Sequence, residues 1–498
     1  MGLFNRKSTR INTTGQVNGT HGPSNGHPLK SPSSIKSQGD PLFSSSALDV
    51  SLPPPPDPAR DPAAYLRSIH AVRARCALVY QRAKRNQLNH FDVDSSKFHD
   101  TAAYVVSIIK RDFGPDYNTI PAHGRWQHFE VGGRPRLEQL LTSWPSTIDA
   151  QERTRRLIDL FLVSVLLDAG AGAGWTYKSK ESGKMYRRSE GLAVASLEMF
   201  KAGYFSSNDQ APCQVDSTGL KRLTTQQLAK GLQVTEHNPL QGLEGRAGVM
   251  SRLADALKNS TLFGTAGRPG HMLDYLLSHP TTQAASFPII TVPTLWFVLM
   301  DGLSSVWPSS RSRIDGTSLG DAWPCSSMPP SPPSSPWENI VPFHKLTQWL
   351  CYSLMGPMKK VMNIHFAGTD LLTGLPEYRN GGLLMDTGML TLKEKDAKRG
   401  IAAYKDNATV KGQPNMEVVP LFPTEDDVIV EWRAVTVGFL DDLLIEVNGM
   451  LGLTGTDKLS LAQMLEAGTW KGGRELAEVS RPNTKEPPIM IMSDGTVF

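Results

Sequence analysis

RRLIDLFLVSVLLDAG, residues 155–170, decides the class of this chain. Its apolar side chains recur at helical spacing and, in the second half, cover nearly every side. A helix with no polar face must be a central element with others packed around it. Its start is marked as well. Thr147 or Asp149 serves as cap, and Asp149 with Glu152 three residues on has capping-box spacing. The glycines at 170, 172 and 174 stop it. The longest apolar run, LFLVSVLL at 160–167, falls far short of the roughly 20 residues that span a bilayer.

Other helical signals flank this element. YLRSIHAVRARCALVYQRAKR (65–85) puts Leu66, Ile69, Val72, Cys76, Leu78 and Val79 on roughly one stripe and arginines on the other face. Asp94 or Ser95 caps FHDTAAYVVSIIKRDF, which Gly114 ends. SEGLAVASLEMFKAG (189–203) reads as a helix capped by Ser189. TTQQLAKGL, LEGRAGVMSRLADALKN, HMLDYLLSH, HKLTQWLCYSLMGPMKKVM, EWRAVTVGFLDDLLIEVNGML and SLAQMLEAGTW follow, while MEVVPLF and DVIVEWRAV suit lone strands. The expectation is a mainly α protein with a few short strands. Residues 1–56, rich in Ser, Gly and Pro and closed by Pro53–Pro56, read as a disordered lead. Residues 57–498 read as one large helical region, with a flexible Ser/Pro-rich excursion over the surface at about 308–336.

The bulk numbers narrow the function classes. A formal charge of +4, from 52 basic and 48 acidic residues mixed along 498, leaves no basic stripe to follow a phosphate backbone, so nucleic acid is not expected as partner. The four cysteines, Cys76, Cys213, Cys325 and Cys351, form no CxxC pair, which suits inert thiols in a reducing compartment. MGLFNRKSTR has no apolar signal core, and Arg6 stands where a myristoylation signal needs Ser or Thr. The expected location is the cytosol, with the nucleus as a second compartment and no membrane attachment. GAGAGW at 170–175 follows a helix instead of a strand, so it is no dinucleotide fingerprint. GxxxxGK[ST] and HExxH are absent from the sequence.

Polar knots interrupt the apolar segments. His123, Arg125, Trp126 and His128 crowd into HGRWQHFE beside glycine, which suits a pocket wall or a well-bonded turn. Asp168 ends the most apolar helix, near Trp175 and Tyr177. There it is either a poorly solvated catalytic group or the partner of a nearby arginine. Arg187, Arg188 and Glu190 flank the start of the next helix, as an anion cradle or as ordinary surface charge. A dispersed set holds Glu244 and Arg246, His365 and Asp370, Glu377, Tyr378 and Arg379, Asp386, and Glu431 with Arg433. A structural ion-pair network accounts for these as well as a site does.

With HGRWQHFEVGG, LLDAGAGAGWTY, YRRSEGLAVASLEMF, GLEGRAG, HFAGTDLLTGLPEYRNGGLLMDTG and EWRAVTV quoted together, the chain resembles the uracil catabolism protein 4 family, from about residue 60 to its C-terminus. The resemblance implies a role in a pyrimidine-degrading route that releases urea, with a ribosylurea intermediate as the substrate to expect. It brings no secure catalytic residue. A weaker likeness of pattern links the Asp168–Tyr177 region to queuosine salvage hydrolases and helical DNA glycosylases.

Cleaving a ribose–nitrogen bond needs a carboxylate on the sugar face and a proton donor at the leaving nitrogen. Asp168, Glu431, Asp386 and His123 are the catalytic candidates. Arg125, Trp126, His128, Trp175, Tyr177, Arg187, Arg188, Glu190, Arg246, His365, Asp370 and Arg433 are the candidates for binding ribosylurea or its 5′-phosphate. No cofactor is expected, and a divalent metal stays open. Two other readings stand beside this one: an amidohydrolase or ring-opening enzyme of the same route, and a non-catalytic scaffold. A homo-oligomer, or association with other uracil-degrading enzymes, is compatible with each.

Overall fold

In the computed structural model, residue 50 to residue 492 are described, except 173, 285, 331, 333, 334, 408–412 and 414. The lead expected to be disordered lies outside the described residues up to 49. The central helix runs Ala150–Leu166 with Asp149 as its cap, the Asp149 carboxylate accepting the Glu152 N–H at 2.7 Å. From Leu157 to Leu166 every residue of it is buried, Asp159 and Ser164 included. The helix Lys345–Met362 packs along it, and the helix Arg188–Lys201 crosses it on another side. Around them lie Ile69–Ala83, Phe98–Phe113, Leu243–Ala256, Tyr378–Asp386, Asp427–Leu451 and Trp470–Ser480. A single apolar core extends from Ile69 to Ile489 through all of these.

Strands are short, of two to four residues, and form small sheets of two or three strands, none of them closed among the described residues. Two sheets matter for the site. Thr176–Lys178 pairs antiparallel with Met185–Arg187, and this hairpin feeds the helix at Arg188. Leu421–Pro423 pairs parallel with Met490–Met492, which fixes the C-terminal segment against the body. Among the described residues no helix is long and apolar enough to cross a membrane.

Three expectations change. DVIVEWRAV is the opening of the 25-residue helix Asp427–Leu451, because Asp426 caps it and packing on helix Ile69–Ala83 overrides the β-branched propensity. Ser189 is no cap: its hydroxyl turns to Asp168, and the helix already begins at Arg188. Within 308–336 the expected surface excursion instead inserts Asp321, Trp323, Cys325 and Ser327 into the interior. Asp321 accounts for this, since it pairs both carboxylate oxygens with Arg433 at 2.8 and 2.7 Å.

Candidate functional site

The end of the central helix creates a physical problem, since its last carbonyls are buried without helical partners. Two arginines solve it. Arg125, wholly buried, donates to the Ser164 carbonyl at 3.1 Å and to the Ser164 hydroxyl at 2.8 Å. Arg246, equally buried, donates to the carbonyls of Leu167 and Gly170 at 3.0 Å each, and also reaches Ala169 and Gln241. Both cations sit where the helix dipole is negative. Burial lowers the pKa of each against the pull of Asp168, that of Arg246 to about 10.

Asp168 emerges from this capped end. It forms an ion pair with Arg125 at 2.8 Å, and the Ser189 hydroxyl reaches its two oxygens at 2.7 and 2.6 Å. Of the two readings of this carboxylate, the arginine partner is present. Its side chain also lines a cavity of about 150 Å³.

The cavity has an aromatic wall. His128 lies between Trp349 and Trp470, with ring centroids 5.6 and 5.5 Å away, and His123 sits 4.7 Å from Trp349. His123 Nδ1 meets Glu466 at 2.6 Å, and Glu466 comes from a π-helical turn, Leu465–Thr469, that leads directly into Trp470. His128 Nδ1 faces Arg125, which only donates, so Nδ1 is the acceptor and Nε2 carries the proton. Burial, and then Arg125, push the His128 pKa well down, leaving a neutral ring near neutral pH. The Trp349 indole N–H is buried with no acceptor among the described residues.

Glu377 and Lys345 complete the wall. Glu377 caps the helix Tyr378–Asp386, accepting the N–H groups of Arg379 and Asn380 at 2.9 and 2.6 Å. Burial outweighs those bonds and the nearby Lys345 charge, so its carboxyl is pushed up to about 7. Lys345 opens the helix Lys345–Met362, after His344 in the left-handed region at φ 45°. Burial lowers its pKa against the opposing charge of Asp168, and its ammonium makes no ion pair among the described residues. The Asp321–Arg433 pair fixes this helix start, because Asp321 also accepts the Lys345 N–H at 3.0 Å.

Of the residues given a catalytic or binding role from the sequence, Asp168, His123, His128, Arg188 and Glu190 line the cavity, with Glu190 paired to Arg474. Arg125 and Arg246 stand directly behind it. The others are elsewhere. Glu431 is sealed in the interior, accepting the Asn89 and His90 N–H groups at 2.8 Å each. Asp386 is chelated by Arg481 at 2.9 and 2.6 Å. Arg433 is taken by Asp321. Trp175 is fully buried, its indole N–H on the Leu232 carbonyl at 2.9 Å, and Tyr177 donates to Glu198 at 2.8 Å.

Trp126 packs on Phe161 under Lys360, and Arg187 is exposed. His365 stacks on Phe287, and Asp370 is exposed. Asp168 and Arg125 therefore meet at the cavity, whereas Trp175 and Glu431 do not reach it. For Glu431, Asp386, Arg433, Trp175 and Tyr177 the common reason is local satisfaction: each finds its partners in its own neighbourhood. Lys345, Trp349, Trp470 and Arg474 were not legible as site residues, since they lie in ordinary amphipathic helices. Glu377, Tyr378 and Arg379 carried a signal, a charged and aromatic triplet after Leu375-Pro376, but had no assigned role. Among the described residues no group of three or more His, Cys, Asp or Glu is gathered as a metal-ligand set.

A sequence model of the family described as "Protein of unknown function (DUF1688)" matches residues 65–498. "Uracil catabolism protein 4" of Lachancea kluyveri is 45% identical over 445 residues, spanning 88% of this chain and 99% of that protein. The chain belongs to this family. "Protein urg3" of Schizosaccharomyces pombe is 43% identical over 436 residues, spanning 87% of this chain and 98% of that protein. Every residue on the cavity wall falls inside the family match.

Proposed function

We propose that the protein is an enzyme of uracil catabolism that hydrolyses the N-glycosidic bond of ribosylurea or its 5′-phosphate, releasing urea. One observation carries the reading. Of the four carboxyl groups on the wall of one small cavity, Asp168, Glu190, Glu377 and Glu486, two stand in unlike settings: Asp168 is ion-paired to buried Arg125, and Glu377 has its pKa pushed up to about 7. Environments that divide two carboxyls in this way suit an acid and a charged partner at a glycosidic bond. The name of the Lachancea relative supports the pathway.

In this scheme Glu377 gives its proton to the urea nitrogen as the bond to ribose C1 breaks. Asp168 faces the cationic sugar and takes a proton from the water whose oxygen bonds to C1. Ribose and urea leave, and one proton passes back to Glu377. Trp349 and Trp470 stack against the planar urea, and the unpartnered Trp349 N–H suits its carbonyl oxygen. The likeness in pattern to helical glycosylases points to the same bond type and adds no residue to the scheme.

Incubating purified protein with ribosylurea and with its 5′-phosphate, and measuring urea and free ribose species, tests the reading. Release of both products from either substrate supports it. A folded protein that turns over neither, with and without divalent metals, removes it. Release of ammonia in place of urea would point to the amidohydrolase alternative.

A further inference from the structure

Arg379 is only 3% exposed, yet it lies on the cavity wall. Its guanidinium makes one hydrogen bond, from Nη1 to the Lys485 carbonyl at 3.3 Å, and has no ion pair among the described residues. The nearest carboxylate in sequence, Glu377, spends both oxygens on the N–H groups of Arg379 and Asn380. One face of the guanidinium rests on Tyr378, its carbon 5.1 Å from the ring centre. A buried cation without a counter-charge is costly unless its donors are spent on other acceptors, as those of Arg246 are on four carbonyls and those of Arg379 are not.

Arg188 shares this wall. Its backbone is left-handed at φ 52°, a conformation that a non-glycine residue keeps only where the surroundings impose it. Its guanidinium donates to the Thr484 carbonyl at 3.0 Å and reaches Glu486 only at 3.8 Å. The two arginines are thus tethered to the carbonyls of consecutive residues, Thr484 and Lys485, and are neighbours. Glu486 is the competing anion, and burial raises its pKa, which weakens the competition.

We infer that Arg379 and Arg188 form a subsite for a phosphate monoester, so that the substrate is a 5′-phosphorylated ribosyl compound in preference to the free riboside. The inference rests on the glycosidic reading for the ribosyl part. The subsite itself depends on the arginines alone. Planar guanidinium groups offer paired donors that match phosphate oxygens, and a dianion supplies the charge that the wall lacks.

Calorimetric titration of the full chain with ribose 5-phosphate, ribose and inorganic phosphate tests it. Ribose 5-phosphate should bind at least about 100-fold more tightly than ribose, as two charge-assisted contacts imply. Arg379→Gln and Arg188→Gln should each weaken ribose 5-phosphate by roughly 10- to 100-fold without altering ribose, and Arg379→Lys should recover part of the loss. Equal binding of ribose and ribose 5-phosphate, or unchanged affinity in both folded variants, overturns the inference. If Arg379→Gln fails to fold, the wild-type melting temperature decides: no greater rise with ribose 5-phosphate than with ribose overturns it. Arginine-dependent ribose 5-phosphate binding without turnover of either free or phosphorylated ribosylurea upholds the subsite and sinks the glycosidic reading. Equal turnover of free and phosphorylated ribosylurea does the reverse.

Discussion

Asp168 and Arg125 meet at 2.8 Å, the carboxylate on the cavity wall and the guanidinium wholly buried behind it. The same arginine closes the end of the central helix through Ser164, so the group that completes the fold also orients the cavity carboxylate. This coupling separates two kinds of variant. Asp168→Asn keeps the shape and removes the charge that the proposed scheme sets against the sugar. It should lower turnover by about 10³-fold or more, with far-ultraviolet circular dichroism unchanged. Arg125→Met strips the helix end and leaves Asp168 buried unpaired. That should cost about 3–5 kcal/mol in denaturant unfolding. Full turnover in Asp168→Asn would end its catalytic role.

Glu377 sets the expected pH dependence. Its carboxyl is raised to about 7, so the proton that the proposed scheme assigns to it is present below that value and lost above it. kcat/KM should fall as pH rises through about 7, and Glu377→Gln should abolish that limb along with most activity. The stability sign is the same. A raised carboxyl contributes fully below its unfolded value near 4.5, and the contribution is lost as pH climbs through about 7.

His90 offers a test away from the cavity. It bridges Asp396 at 3.0 Å and Asp427 at 2.8 Å. Burial pulls its pKa down, but the bonds to Asp427 and Asp396 outweigh burial and raise it to about 9. Its stabilisation should be whole below the unfolded value near 6.5 and vanish as pH rises through about 9. His90→Gln should therefore cost about 2 kcal/mol at pH 6 and much less at pH 10. The His90 ring resonances, followed by nuclear magnetic resonance, should titrate near 9.

Gly473 lets two cavity-bearing helices touch. A Cβ there would stand 1.9 Å from the Arg379 carbonyl oxygen, which is main chain and cannot swing aside. Gly473→Ala should force the helices Trp470–Ser480 and Tyr378–Asp386 apart. The expected result is a melting temperature several degrees lower and weaker substrate binding, since Trp470, Arg474 and Arg379 shift together. An unaltered melting temperature would show that the contact yields easily.

Glu431 provides the contrast. It is a catalytic candidate by sequence, yet its oxygens hold the Asn89 and His90 amides and the Ser327 hydroxyl. Glu431→Gln should lower stability by about 1–3 kcal/mol while turnover per folded molecule stays near wild type. A selective loss of turnover would bring it back as a participant.

Periodicity and caps are local properties of a chain, and they carried the helical class here. The run at 155–170 announced a central helix, Asp149 its start, and Gly114 the end of Phe98–Phe113, whereas Asp94 caps a 3-10 turn, Ser95–Lys97, ahead of that helix. Asp168, His123, His128, Arg188 and Glu190 were also legible, as polar groups pressed against apolar segments or glycine turns. Which charges meet was not legible. Arg433 and Glu431 are two residues apart, yet one closes on Asp321 and the other on backbone amides. Lys345, Glu377 and Arg379 reach the cavity because helices distant in sequence dock at glycines and at the buried Asp321–Arg433 pair. Helical spacing records which face of an element is apolar, whereas a polar site depends on the relative placement of several elements. Only the packed chain determines that, since each buried charge takes the partner that three-dimensional proximity supplies.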